Sequence, residues 1–316
     1  MLYKLLLFPA KIFIHFYCRK IVISNKNILI SSGPLLVASN HPNSFLDAII
    51  LATLFKNPIY SLARGDAFNG KFITGILTSL NMLPIYRVSE GIENLEHNYS
   101  TFNDCQDIFK KNGIVLIFSE GRCINEWHLR PLKKGTARLA FSAWQQNIPL
   151  KVLPLGINYN SFRRFGKIVH LNFGNFITSE QITCNFQSGK TVNDFNEKLQ
   201  RQLQELVYEI EPGNHEKLNR HFFIRQPTYR RALLLIPALL GYIIHFPLYY
   251  PIHHLVRNKA QDHYDSLIVG LLFLSYPIYV LLLTLTVFFI IQNWIAFFLL
   301  LFIPATLLCT AHFQEN

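Results

Sequence analysis

The chain has 316 residues, half of them hydrophobic, and a formal net charge of +11. That length holds one large domain, or a domain with a smaller module. A basic chain would suit nucleic acid, but no zinc-finger spacing and no aromatic ribonucleoprotein-type motif accompanies the charge. Beside long apolar stretches, attraction to anionic lipid headgroups is the simpler reading, so a bilayer is the expected partner and nucleic acid is not. The five cysteines (Cys18, Cys105, Cys123, Cys184, Cys309) are scattered without a CxxC pair. That argues against a disulfide framework or a zinc site and fits a reducing compartment.

Residues 1–24 predict an amphipathic helix. Lys4, Lys11, His15 and Arg19 fall on one helical face, and Leu6, Phe13, Phe16 and Tyr17 lie off that stripe. Such a helix lies in the headgroup region; an ordinary amphipathic helix on a soluble core is the alternative. Lys11 and Arg19-Lys20 break the apolar run and no small-residue cleavage site follows, so a signal peptide is not expected.

Residues 25–220 alternate short apolar runs with helical patterns. Strands are expected at Leu35–Ser39, Ile59–Ala63, Leu83–Tyr86, Ile114–Phe118, Lys151–Tyr159 and Ile168–Phe173. Helices are expected at Phe45–Phe55, Ile92–Lys111, Gly135–Asn147 and Asn193–Tyr208. This order predicts an α/β domain with a mostly parallel sheet flanked by helices. Ligand sites in such sheets gather beyond the carboxyl ends of the strands, where three polar clusters fall: His41 with Asp47, Arg87, and Glu120-Gly121-Arg122. Glu211-Pro212-Gly213-Asn214 marks a break, and Arg220–Arg231 reads as a linker.

Residues 221–316 predict a helical membrane region, with apolar segments at about 232–256, 266–290 and 294–312. Neither Ala232–Val256 nor Ser266–Gln314 contains an Asp, Glu, Lys or Arg. The second window is long enough for two bilayer helices at about 20 residues each, with Gln292-Asn293 as the turn between them. Arg225, Arg230 and Arg231 precede the first window and Arg257 and Lys259 follow it, which draws both flanks to the cytoplasmic side. Pro237, Pro247 and Pro251 also interrupt it. A re-entrant or shallow first segment followed by a two-helix hairpin over Ser266–Ala311 is expected, with three plain spans as the alternative.

The chemistry is concentrated in Asn40-His41-Pro42-Asn43-Ser44-Phe45-Leu46-Asp47. A carboxylate that holds an imidazole in one tautomer makes it a general base at neutral pH. The run has no nucleophilic Ser or Cys in an elbow and no metal-ligand spacing, so the base is expected to activate a hydroxyl of the substrate. Ser44-x-x-Asp47 also fits a capping box, in which Asp47 would cap the following helix. Both roles can coexist.

Four ordered blocks over residues 30–180 resemble the glycerolipid acyltransferase superfamily, the glycerol-3-phosphate and lysophosphatidic acid acyltransferases. They are Asn40-His41 to Asp47; Leu83-Pro84-Ile85-Tyr86-Arg87; Ile117-Phe118-Ser119-Glu120-Gly121 followed by Leu132-Lys133-Lys134-Gly135; and Val152-Leu153-Pro154-Leu155-Gly156. Two features depart from the family pattern. Five residues, Pro42 to Leu46, separate His41 from Asp47, where four are commonest. Ser119 replaces a proline, and Arg122-Cys123 stand where Thr-Arg is usual, which puts the acceptor's phosphate contact in question.

The resemblance implies a membrane-bound enzyme moving a fatty acyl group from acyl-CoA or acyl carrier protein to a hydroxyl of glycerol-3-phosphate or lysophosphatidic acid, without a cofactor. It implies His41 as base and Asp47 as its orienting acid. Arg87, Glu120, Gly121, Arg122, Lys133 and Pro154 are the expected substrate-binding residues. Arg87 has the forked donors that suit phosphate; Glu120 would fix a neighbouring arginine or hold the acceptor's hydroxyls; Gly121 would allow close approach of the backbone. The expected location is the inner or cytoplasmic membrane, with the site facing the cytoplasm. Another lyso-lipid acceptor (a lysophospholipid, an amino-acid lipid or a saccharolipid) and a non-catalytic lipid-binding member of the fold are the competing readings.

Overall fold

The chain is described by a computed structural model covering residues 2–86, 97–182, 189–225, 227–258 and 261–313. The helices are α1 (Leu2–Tyr17), α2 (Phe45–Leu54), α3 (Lys71–Ser79), α4 (His97–Lys110), α5 (Gly135–Gln145), α6 (Gly189–Leu206), α7 (His215–Phe222), α8 (Thr228–Val256), α9 (Tyr264–Ile291) and α10 (Leu299–Phe313). The strands are β1 (Cys18–Ile23), β2 (Leu35–Ser39), β3 (Ile59–Arg64), β4 (Met82–Ile85), β5 (Ile114–Phe118), β6 (Lys151–Tyr159) and β7 (Lys167–Phe173).

Apolar runs without alternation, such as Leu35–Ala38 and Ile114–Ile117, form strands covered on both faces. Among the described residues, seven strands form one sheet in the order β1-β7-β6-β2-β5-β3-β4. The five from β6 to β4 are parallel; β7 runs antiparallel to β6, and β1 runs parallel to β7. Side chains alternate across the sheet. Leu35 and Val37 join Ile14 of α1, Ile50 of α2 and Ile268 of α9 in one core. Leu36 and Ala38 join Phe109 of α4, Ala140 of α5 and Leu199 of α6 in the other. The carboxyl ends of β2 and β5, the middle of the sheet, therefore open onto the His41 and Glu120 loops.

The amino-terminal expectation is corrected. The helix stops at Tyr17, and Cys18–Ile23 is a strand whose β-branched Ile21, Val22 and Ile23 pair with Val169, His170 and Leu171. Arg19 and Lys20 lie on a sheet edge, where charge guards against further strand pairing. The surface of α1 exposes Leu5, Phe8 and Ile12 together with Lys4, Lys11 and His15. The expected break near residue 220 falls inside α7, which Asn214 caps through Lys217 N (2.9 Å) and which buries Phe222 against Ile168 and Ile210. α3 was also unread: its nine residues include Gly75 and bury none of their side chains.

Three helical segments, Thr228–Val256, Tyr264–Ile291 and Trp294–Phe313, are long and apolar enough to cross a membrane. Their outer surfaces carry large apolar side chains, among them Ile236, Leu274, Ile290 and Leu301, each at least 70% exposed. A surface apolar all round suits lipid and not water. The first segment does not turn back on itself; α8 is continuous through Pro237, Pro247 and Pro251. Its start lies beside the end of α10, with Arg231 over the Phe313 ring, and its end lies beside the start of α9, where His253 Nδ1 meets Tyr264 Oη at 2.6 Å. Those partner ends face the sheet: Ala311 lies against Gly166, and Asp265 against Lys167.

Candidate active site

The site begins at the carboxyl end of β2. Ser39 Oγ donates to Leu155 O (2.8 Å), and the Asn40 side chain bridges Ile157 N and O at 2.8 and 3.0 Å, which ties the loop entrance to β6. The chain then turns through Pro42, Asn43 and Ser44 into α2. Ser44 adopts φ 54° and ψ −134°, a conformation that L residues rarely take.

The turn brings the predicted pair together. His41 Nδ1 lies 2.9 Å from Asp47 Oδ2, in the first turn of α2. Asp47 is fully buried, and His41 is partly open to solvent. Asp47 Oδ2 also accepts Asn43 N–H (2.9 Å), and Oδ1 accepts the buried Tyr159 hydroxyl (2.7 Å). Both carboxylate oxygens are thus engaged, and burial together with Asp47 pushes the Tyr159 phenol well above its ordinary pKa. The imidazole stacks on Phe118 at 3.7 Å between ring centres. With the proton on Nδ1, Nε2 presents its lone pair.

Ser44 precedes the helix but makes no side-chain cap; its hydroxyl meets His263 Nδ1 at 2.6 Å. Asp47 reaches Asn43 N–H, one residue upstream of the position a capping box would use. The orienting role for Asp47 is the one that matches this geometry.

Glu120 stands elsewhere than expected. Its Oε2 accepts His41 N–H and its Oε1 accepts Arg130 N–H, each at 2.8 Å. The side chain is buried, and its carboxylate braces two backbone loops. Burial raises its pKa, and the hydrogen bonds from Arg130 and His41 oppose that rise. Gly121 follows at φ 69°, under the stem of Lys133, whose Cγ would lie 2.9 Å from an added Cβ. Lys133 and Arg122 are both exposed, and among the described residues no bond joins either side chain to His41 or Asp47. Pro154, expected among the binding residues, is buried within β6, beside Ala38 in register and against Gly174. Arg87 lies outside the described residues. The strand before it is held to α4, with Asn98 bonding Tyr86 N and O at 2.8 Å each.

Burial pushes the thiol of Cys123 upward and its Sγ bonds Asp262 O, so this cysteine is no ready thiolate nucleophile. The arrangement is a buried acid, an oriented imidazole and an open Nε2.

Residues 20–158 match the family model described as Acyltransferase. The matched stretch covers less than half of the chain and contains His41, Asp47 and Glu120. The match supports an acyl-transferring enzyme. The crystal structure of the 1-acyl-sn-glycerophosphate (LPA) acyltransferase PlsC from Thermotoga maritima is similar at 13% identity and a TM-score of 0.41, over 65% of this chain and 81% of that one. No curated protein matches the sequence.

The site also holds residues that sequence reading missed. Tyr159 was legible only as an inward position of its strand, two after Ile157. Asp265, Lys167 and Tyr17 form a buried group around the loop side chain of Asn43. Tyr17 Oη donates to Asp265 Oδ1 at 2.8 Å, Asn43 Nδ2 donates to Asp265 Oδ2 at 2.7 Å, and Lys167 Nζ contacts Asp265 Oδ2. Burial draws the Lys167 ammonium down to about 7, and the charges of Cys18 and Asp47 oppose that fall. The one available signal was that Asp265 is the last charge before the uncharged window.

Proposed function

We propose that this enzyme transfers a fatty acyl group from acyl-CoA or acyl carrier protein to a hydroxyl of glycerol-3-phosphate or lysophosphatidic acid, with His41 as general base. The observation that carries the reading is the 2.9 Å contact of His41 Nδ1 with a buried Asp47 carboxylate. His41 Nε2 takes the hydroxyl proton as the oxygen attacks the thioester carbonyl. The new C–O bond forms, the C–S bond breaks, and the proton passes to the departing thiolate. General-base help of this kind contributes typically about 10²–10⁴-fold in rate.

A second observation favours a lipid acceptor. An apolar cavity of about 1100 Å³ lies among α1, α8, α9 and α10, with Phe13, Phe273 and Leu307 in its walls and Arg163, Arg164 and Arg231 also lining it. Apolar walls with basic groups suit a hydrocarbon chain bearing an anionic head. Arg87 is proposed as a phosphate contact on its donor geometry.

The enzyme acts at a bilayer surface, and the cytoplasmic face is the expected side. The contacts at both ends of α8 support a helix lying across the base of an α9–α10 hairpin, with Gln292-Asn293 at the far tip.

Incubating the purified protein in detergent with labelled acyl thioesters and a panel of acceptors, then analysing the lipids by mass spectrometry, tests the reading. Acylated glycerol-3-phosphate or phosphatidic acid is the expected product. Acylation confined to acceptors without phosphate would refute the acceptor assignment.

A further inference from the structure

The acyltransferase family match ends at residue 158, yet the catalytic turn is held by residues more than a hundred positions further on. Asn43 and Ser44 have such a hold directly, and Pro42 has one through Asn125. Asn125 Nδ2 donates to Pro42 O at 2.7 Å, and Asn125 is itself bound by Asp262, through its N–H to Oδ1 at 3.1 Å. Asn43 Nδ2 donates to Asp265 Oδ2 at 2.7 Å. Ser44 Oγ meets His263 Nδ1 at 2.6 Å. Asn43, Asp265 and Lys167 are all buried.

Two physical points give these contacts weight. Ser44 sits at φ 54°, and such a backbone persists only where its surroundings over-determine it. Asp265 is an anion without solvent, and its contact with Lys167 and the bond from Tyr17 offset that burial. A buried charge so fixed has a preferred position, and Asn43 takes its own position from it. The Asn43 N–H then donates to Asp47 Oδ2, the atom that faces His41.

We propose that the α8–α9 connection is a working part of the active site, in which Asp265 and His263 are positioning residues that hold the His41–Asp47 turn in its reactive geometry. The acyltransferase domain is then complete only with its carboxy-terminal helices docked, and these helices do more than anchor the enzyme. The inference rests on His41 being the base.

The test compares two charge-neutral pairs, Lys167→Met with Asp265→Asn and Lys167→Met with Asp265→Leu. Both remove the buried charges together, which spares the protein an unpaired ion. Only the first keeps an oxygen to accept Asn43 Nδ2–H. In detergent, with an acyl-CoA thioester and lysophosphatidic acid, the Asn pair is expected to recover most of the wild-type kcat. The Leu pair should lose at least tenfold in kcat with KM changed less than about twofold, because the loss falls on orientation and not on substrate binding. Asn43→Ala, which leaves the Lys167–Asp265 contact in place, should show the same kcat loss and covers the case in which the double variants do not fold. Adding Asn43→Ala to the Leu pair should lower kcat no further, since the link is already cut. Equal kcat in the Asn and Leu pairs, or wild-type kcat in Asn43→Ala, would overturn the proposal. If His41→Ala retains turnover, it is instead the base assignment that fails.

Discussion

Three residues around the His41–Asp47 pair each make a separate prediction. Tyr159 donates to Asp47 Oδ1, and a hydrogen bond to a charged group contributes about 1.5–3 kcal/mol. Tyr159→Phe should therefore lower turnover by about tenfold or more while the protein stays folded, as steady-state kinetics would report; unchanged kcat would deny Tyr159 a part in orienting Asp47. Glu120 predicts a pH effect on stability. Its folded pKa is raised by burial, so its contribution to stability is fullest below its unfolded value and falls as pH rises through the folded one. Stability of wild type relative to Glu120→Gln should decline from acid to neutral pH in thermal unfolding experiments. A difference that grows with pH would contradict the burial argument. Gly121 lies at φ 69°, where an L side chain costs about 1–2 kcal/mol, and Gly121→Ala should destabilise the protein by about that amount.

At the scale of elements, legibility followed the range of the forces involved. Leu35–Ser39, Ile114–Phe118 and Lys151–Tyr159 were readable to the residue because continuous apolar runs between helices leave few alternatives to a buried parallel strand. Cys18–Ile23 was not, because an edge strand next to a basic amphipathic helix continues that helix's pattern, and only pairing with Val169–Leu171 distinguishes the two. His41 and Asp47 were legible because they are near in sequence. Glu120 was found, but its bracing of His41 N–H was not, since backbone donors carry no sequence signature. Pro154 was placed among the binding residues and instead lies inside the sheet. The membrane segments were legible from absent charge alone, whereas the contacts at the two ends of α8 depend on the fold. Cysteines introduced at Arg231 and Arg257 should label from the same side of the membrane, and one at Asn293 from the other. Labelling of positions 231 and 257 from opposite sides would restore three plain spans.

Across the whole molecule, the chemistry lies where two kinds of structure meet. The sheet, the loops beyond its strands and α2 supply Tyr159, His41, Glu120 and Asp47, and the start of α9 supplies Asp265 to the same turn. Under the proposed function this arrangement has a use: His41 lies next to the apolar helices, the side from which a hydrophobic acceptor would arrive and into which its product would leave. All of it rests on His41 acting as the base. The most direct test is the turnover of purified His41→Ala in detergent with an acyl thioester and lysophosphatidic acid, alongside its melting temperature. Turnover should fall by at least about 10²-fold with the melting temperature near that of wild type. Wild-type turnover in the folded variant would contradict the mechanism.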